Sequence, residues 1–383
     1  MSIVRIISTW LKIPSRKETV MFAVLLAACA GLALIKPVVE VPHEGSKEKA
    51  VVLAVDDSNL RSYGNLHQGT QLLQVRILSG GYRDRLFPAV NELRANMELD
   101  KVFAAGDVIL VGILDGAIPG ETVVNAQDYY RIDNTLLLFG LFAVLLMIFG
   151  GFVGINALLS FVFSCLAVWK VVVPLALRGW EPVSLIFGAV VVLSVVIILL
   201  VAGLNRKGLS ALAGTLLGVG GSAVMAWIFA AVFRINGAVM PYSQTLLFSG
   251  YEFISLPSIF VGGVFLSASG AVMDLAMDVA SGIDEIKLRR PELGAKELFL
   301  SGIRIGRSVV GTMTTTLLLA YSGGYLTLMM VFAAQGISPV DFINNPHVAS
   351  EVVKTLVGSF GLVLVAPFTA LAGAIFYGKK QEK

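Results

Sequence analysis

The sequence predicts an α-helical polytopic membrane protein of about eight spans that carries a small extracytoplasmic all-β domain of barrel or sandwich type. Three observations predict it. Apolar runs of ~18 or more residues recur along the chain, which is the signature of spanning helices. Of the 383 residues 56% are hydrophobic and 14% charged, against ~25% charged in an ordinary soluble chain, and the mean hydropathy is +0.82. One polar segment, 38–132, interrupts the apolar pattern with short β-rich runs. The domains expected are therefore a cytoplasmic N-terminus with a membrane anchor (1–37), a β-rich domain (38–132) and a seven-helix membrane domain (133–383).

In chain order, residues 1–18 are basic and amphipathic, with Arg5, Lys12, Arg16 and Lys17, and the apolar run Thr19–Ile35 follows. No A-x-A cleavage site with a polar continuation follows Ala30, so an uncleaved anchor is expected rather than a removed signal peptide. The β segment contains the runs Ala50–Val55, Gln71–Leu78, Arg85–Val90, Val108–Leu114 and Thr122–Asn125, separated by Gly80-Gly81, Gly106-Asp107 and Pro119-Gly120. Short strands between such turn pairs suit a small barrel or sandwich.

Further spans are expected near 134–151, 154–177, 182–204, 209–233, 256–281, 307–333 and 351–377. The positive-inside bias orients them with both termini in the cytoplasm, because Arg206, Lys207, Lys287, Arg289, Arg290, Arg304 and Arg307 join the N-terminal basic residues and Lys379, Lys380 and Lys383 on one side. The net charge of +3 is thus edge charge and calls for no nucleic-acid partner. The inner segment 282–303, with Pro291-Glu292 and three leucines, is expected to hold a short amphipathic surface helix. Gly214, Gly218 and Ser222, and again Gly302 and Gly306, form small-xxx-small faces that let helices approach closely and would allow a homodimer.

The candidate site lies on the hairpin 258–321. Eleven residues separate Asp274 from Glu285, and eleven separate Arg304 from Thr315. At ~1.5 Å per residue each inner group sits roughly 16 Å deep, about the middle of a ~30 Å hydrocarbon core. A carboxylate there costs ~2.5–3.5 kcal/mol even on the mildest scale, so it should face protein or water. Asp274, Asp278, Ser281 and Glu285 share one helix face. At i and i+4 the two aspartates are close enough to resist ionising together in a low-dielectric site, so they would load and release a proton or small cation as a unit. Thr312, Thr315 and Thr316 could offer oxygen ligands to the same cation. Two other readings stay open: the acids reach inner water, or they form a hydrogen-bonded lock between helices. For the threonines, bonding back to the preceding turn is an ordinary alternative. Arg304 and Arg307 read as inner-mouth charges that set topology or pair with Asp284 or Glu285.

No enzymatic activity is expected. The chain has no G-x-x-x-x-G-K-[ST] loop and no H-E-x-x-H pair. Its histidines, His43, His67 and His347, all fall in expected outer segments. Cys29 and Cys165 lie in apolar runs, so no disulfide or zinc site is readable. No organic cofactor is implied; the coupling ion would be H+, Na+ or K+, and the expected partners are the bilayer and an extracytoplasmic protein or small molecule.

Several stretches carry a family resemblance. The run 270–277 (Gly-Ala-Val-Met-Asp-Leu-Ala-Met) with Ala280-Ser281, the run 297–302 (Glu-Leu-Phe-Leu-Ser-Gly), then Ile305-Gly306-Arg307, Gly311-Thr312-Met313-Thr314 and 357–364 (Val-Gly-Ser-Phe-Gly-Leu-Val-Leu) with Pro367 downstream resemble the YibE/F-like family of bacterial membrane proteins. Asp128-Tyr129-Tyr130-Arg131 extends the likeness towards the β segment, from about residue 45 onward. The resemblance implies a multispanning plasma-membrane protein with a small extracytoplasmic domain, and no activity or substrate. It also implies serine in place of Asp278 and a polar amide in place of Thr315, which leaves Asp274 as the stronger of the two acids. The leading functional expectation is an ion-coupled permease with Asp274 at its centre. The rival is a non-transporting scaffold or sensor that binds a partner through the β-domain.

Overall fold

The computed structural model describes residues 16–35, 45–115 and 122–378. The N-terminal basic residues Arg5 and Lys12, His43, the Pro119-Gly120 turn and the C-terminal lysines lie outside the described residues. Contacts divide the chain into two units, Val38–Leu145 and Met1–Pro37 with Leu146–Lys383.

The first unit is built on strands β1 (Ser46–Tyr63), β2 (Leu66–Ile77), β3 (Leu86–Arg94), β4 (Val108–Asp115) and β5 (Thr122–Tyr129). They close into a barrel in the order β1-β2-β3-β5-β4. All neighbours are antiparallel except β3 and β5, which run parallel. A five-stranded barrel of this kind is the architecture of OB-folds. Period-two alternation drives it. On β2, Leu73, Val75 and Ile77 point inward and are buried, while Leu72, Gln74 and Arg76 point out. Five strands are found where five were expected, but β1 and β2 are longer than their apolar runs. The polar second half of β1 extends them to a hairpin at Gly64, where φ is 63°.

The barrel core also holds a bonded polar network. Gln71 is fully buried; its amide nitrogen donates to Asp57 Oδ1 at 2.8 Å and to the Phe103 carbonyl at 2.9 Å. Its oxygen accepts from Phe103 N and Asn91 Nδ2, each at 3.0 Å. This network pins the segment before β4 over one end of the barrel. At the Gly80 turn φ is 69°, in the left-handed region that favours glycine. Lys49 pairs with Asp133 and lies 4.9 Å over the Tyr130 ring, and Arg131 pairs with Asp128 at 2.8 Å. The Arg131 hydrogen bond, working against burial of the group, holds the Asp128 carboxyl below its ordinary range.

The second unit is helical. It comprises α1 (Arg16–Leu34), most of α2 (Ile132–Ala167), a π-helical turn at Val168–Val172, α3 (Val173–Leu177), α4 (Pro182–Ala202), α5 (Arg206–Val232), α6 (Ser243–Phe248), α7 (Leu256–Arg289), α8 (Ala295–Gly324), α9 (Leu326–Ala334), α10 (Pro339–Asn344) and α11 (Pro346–Gly378). The starts are written in the sequence. Glu181 accepts from Ser184 N and Asn205 from Gly208 N, and a proline opens α4 and α7. Among the described residues five stretches are long and apolar enough to cross a membrane, or six if α8 and α9, bent by 63° at their break, make one span. The expected spans 134–151 and 154–177 fall in one stretch, Ile132–Leu177, interrupted at Gly151 (φ 54°, ψ −131°). A Cβ on Gly154 would lie 2.2 Å from the Leu146 carbonyl oxygen, so the chain folds back sharply at that glycine.

The expected short amphipathic helix between 282 and 303 does not form. Instead α7 continues to Arg289 and α8 begins at Ala295. Only five residues separate them, closed by Lys287 Nζ donating to the carbonyls of Pro291 and Leu293 at 2.7 and 2.9 Å. Glu297 reaches back to Gly294 N at 3.0 Å as the start of α8.

Packing centres on α5, α7 and α11. Gly214, Gly218 and Ser222 of α5 face Thr369, Val365 and Gly361 of α11 so closely that a Cβ on Gly214 would stand 1.9 Å from Thr369 Oγ1. Gly302 and Gly306 of α8 meet Ala370 and Ala366 of α11 in the same way. The small-residue faces are therefore spent inside one chain.

Candidate functional site

Helices α7 and α8 lie antiparallel and adjacent. Their mutual level is set by three contacts: Ser267 Oγ to Tyr321 Oη at 2.8 Å, Gly282 against Ile305, and Ile283 against Gly302. Interpolating between these, Asp274 is level with the turn Thr312–Thr314, Asp278 with Ser308–Val309, next to Arg307, and Ser281–Glu285 with Arg304. Thr315 is level with the Val272–Met273 step, between Gly270 and Asp274. Thr312 and Thr315 thus bracket the level of Asp274, each within about half a turn of it.

One face of α7 is buried in the bundle through Val272, Leu275, Ala276, Val279 and Ala280. The opposite face carries Gly263, Ser267, Gly270, Asp274, Asp278 and Glu285, all exposed. These stand at steps of three or four residues, or whole turns of that spacing, on a single stripe. The stripe extends the acidic face by three turns toward Leu256. That extension was readable in the sequence by continuing the Asp274 period backward through Gly270, Ser267 and Gly263. Beside it α8 exposes Arg304, Arg307, Ser308, Gly311, Thr312, Thr315 and Thr316.

The three threonine hydroxyls donate to their own helix: Thr312 to Val309 O at 2.9 Å, Thr315 to Gly311 O at 3.2 Å and Thr316 to Thr312 O at 3.0 Å. Each hydroxyl proton is thereby committed, and the oxygen lone pairs are what the face offers. Neither aspartate accepts a hydrogen bond or forms an ion pair among the described residues. Arg304 and Arg307 do not pair with Asp284 or Glu285: Glu285 is held by Arg289 at 2.6 Å and Asp284 accepts from Tyr377 Oη at 2.6 Å. The four charges of the site share one open face and are unpaired.

Toward the Leu256 end the face closes. Tyr321 joins Ser267, and Lys354 pairs with Glu351 at 2.6 Å while lying 5.8 Å over the Phe260 ring. Just beyond Tyr321, Ser322-Gly323-Gly324 ends α8 and the chain bends by 63° into α9. No group of three or more His, Cys, Asp or Glu side chains placed to hold a metal occurs among the described residues.

A family model described as YibE/F-like protein matches residues 138–379. No curated protein and no solved structure matches the chain. The match begins within α2, so it leaves out the barrel and is narrower than the likeness from about residue 45. It covers more than half of the chain and contains both helices of the candidate site, and with it the apolar helices, the open acidic stripe and the packed glycine seams acquire a family: the chain belongs to the YibE/F-like proteins.

Proposed function

We propose that the helical unit is an ion-coupled permease of the bacterial plasma membrane, with Asp274 as the group that takes up the coupling proton or monovalent cation. The observation that carries this reading is the open polar face: two carboxylates in the span-forming part of α7, without hydrogen bonds, beside hydroxyls whose oxygens are free to accept. A lock between helices would show those carboxylates bonded across a packed interface. Intramembrane acids are functional by default, and a carboxylate with adjacent hydroxyl oxygens suits a proton or a hard cation. The 63° break after α8 resembles the discontinuous helices at which transporters bind and gate.

In this reading the chain crosses the membrane eight times, with both termini cytoplasmic and the barrel outside. The fold-back at Gly151 supports two passes in Ile132–Leu177, whose 46 residues would otherwise extend ~69 Å at helical rise, more than twice a bilayer core. Charge-jump currents on supported membranes bearing the purified protein test the proposal, with proton, sodium and potassium steps. Wild type should respond to one ion, and Asp274→Asn should lose the current while remaining folded. Normal current in Asp274→Asn would refute the role of that residue.

The scaffold or sensor reading draws on a different observation. A groove of about 410 Å³ opens on the barrel between β3 and β5, lined by Val90, Glu92, Arg94, Asn125 and Ala126 among others, and could seat a small molecule or a partner's side chains. That reading predicts tolerance of Asp274→Asn and loss of function on removal of 38–132.

A further inference from the structure

We infer that the open face of α7 and α8 is the interface of a two-fold symmetric dimer, in which each copy's Asp278 meets the partner's Arg307. The argument begins with charge. Asp274, Asp278, Arg304 and Arg307 are exposed on helices that belong to the membrane bundle, and none has an ion-pair partner among the described residues. Charged groups at such positions are costly unless they find partners or water. The acids lie on α7 and the arginines on α8, side by side, with Arg307 next to the level of Asp278.

Symmetry turns that arrangement into complementarity. Two copies in one membrane with the same orientation are related by an axis along the membrane normal, so every residue meets partner residues at its own depth. Rotation by a half-turn about an axis in front of the face sets α7 of one copy against α8 of the other. Asp278 then faces the partner's Arg307, Asp274 faces the partner's Thr312, and the Ser281–Glu285 turn faces the partner's Arg304. The patch is self-complementary, as an isologous contact requires. A parallel displacement or a rotated face would set acid against acid.

The surface is shaped for close approach. Gly270 on α7 and Gly311 on α8 have nothing within 4 Å of where a Cβ would stand, and exposed small residues are what allow membrane helices to pack closely. The other small-residue faces, on α5 and at the start of α8, are already filled by α11, so a dimer through glycines has this face to use. The inference does not rest on the permease reading, since it is read from association and not from flux.

The test uses full-length protein carrying two different tags, in bilayer nanodiscs. Wild-type copies should be captured together. Asp278→Arg alone and Arg307→Asp alone should each reduce co-capture about tenfold or more, because like charges then face each other. Mixing the Asp278→Arg copy with the Arg307→Asp copy should restore it, since every contact between copies is again opposite in sign while the pairs within each copy are not. A mixture no better than either variant alone, or a monomeric wild type, overturns the inference. A second measurement leaves the charges untouched: with Cys29 and Cys165 replaced by Ala, a Gly270→Cys copy and a Leu318→Cys copy, at the same level, should form a disulfide between tags on mild oxidation, and absence of that band also overturns it.

Discussion

The seam between α5 and α11 and the open face of α7 and α8 are made of similar residues and do opposite things. Each presents glycine, serine and threonine at three- and four-residue steps. In the seam, Gly214 and Gly218 are met by Thr369 and Val365 at distances shorter than any Cβ could accept. On the open face, Gly263, Gly270 and Gly311 meet nothing within 4 Å. What separates the two is the company of the glycines: uncharged neighbours in the seam, unpaired acids and arginines on the face. A small-residue stripe therefore says that a helix can be approached, and the charges beside it say whether its own chain does the approaching.

The largest effect should come from closing the seam to its partner. Gly214→Val puts a branched side chain into Thr369, whose Cα would lie 2.8 Å from the new Cβ. Backbone cannot yield as a side-chain tip can, so a loss of ~3 kcal/mol, the upper part of the overpacking range, is expected. Thermal unfolding in detergent would show it as a large drop in midpoint, and an unchanged midpoint would mean the seam is looser than described.

Gly311→Ala should act in the other direction, because a helical glycine in open space is a weak point. In the Arg307→Asp background, where copies are apart, alanine should stabilise by ~0.5–1 kcal/mol. In the wild type the gain should shrink or reverse as the added methyl meets the second copy. Equal gains in both backgrounds would separate Gly311 from any interface.

The smallest effect contrasts a partnered carboxylate with the unpartnered ones. Arg131 holds Asp128 below its ordinary range, so the pair's contribution to barrel stability is present above the unfolded carboxylate value of ~3.9. It is lost as the pH falls through the lower folded value. With side chains 39% and 57% exposed, solvent screening keeps it small. Arg131→Ala should slightly flatten the acid limb of barrel protection in amide exchange.

Apolar runs made the helices legible, and period-two alternation made the five strands legible. Proline and capping residues located several helix starts. The ends were harder, since the turn between α7 and α8 depends on Lys287 reaching carbonyls six or fewer residues away, and no local pattern announces it. The Gln71 network was hidden for a different reason: a buried glutamine becomes favourable only when Asp57, Phe103 and Asn91 converge on it from separate strands and loops. At the candidate site, the acids and threonines were readable as a face, but whether that face is packed or open depends on where α11 lies. The contacts between helices set Asp274 level with the turn between Thr312 and Thr315, about half a turn from where counting from the nearest charges put it.

The barrel's single parallel contact has a mechanical consequence. β2 and β3 share a continuous ladder from Gln68↔Arg94 to Arg76↔Leu86, whereas among the described residues β3 and β5 are joined at Ala89↔Val124 and Val90↔Asn125 alone. A closed ring yields first at its thinnest weld. Thermal breathing should therefore begin past Val90, where the two strands part, and spread toward the rest of the circle only when β4 releases β5. The ring behaves as a clasp with one light fastening, able to widen on one side while the long β1–β2–β3 arc keeps its shape.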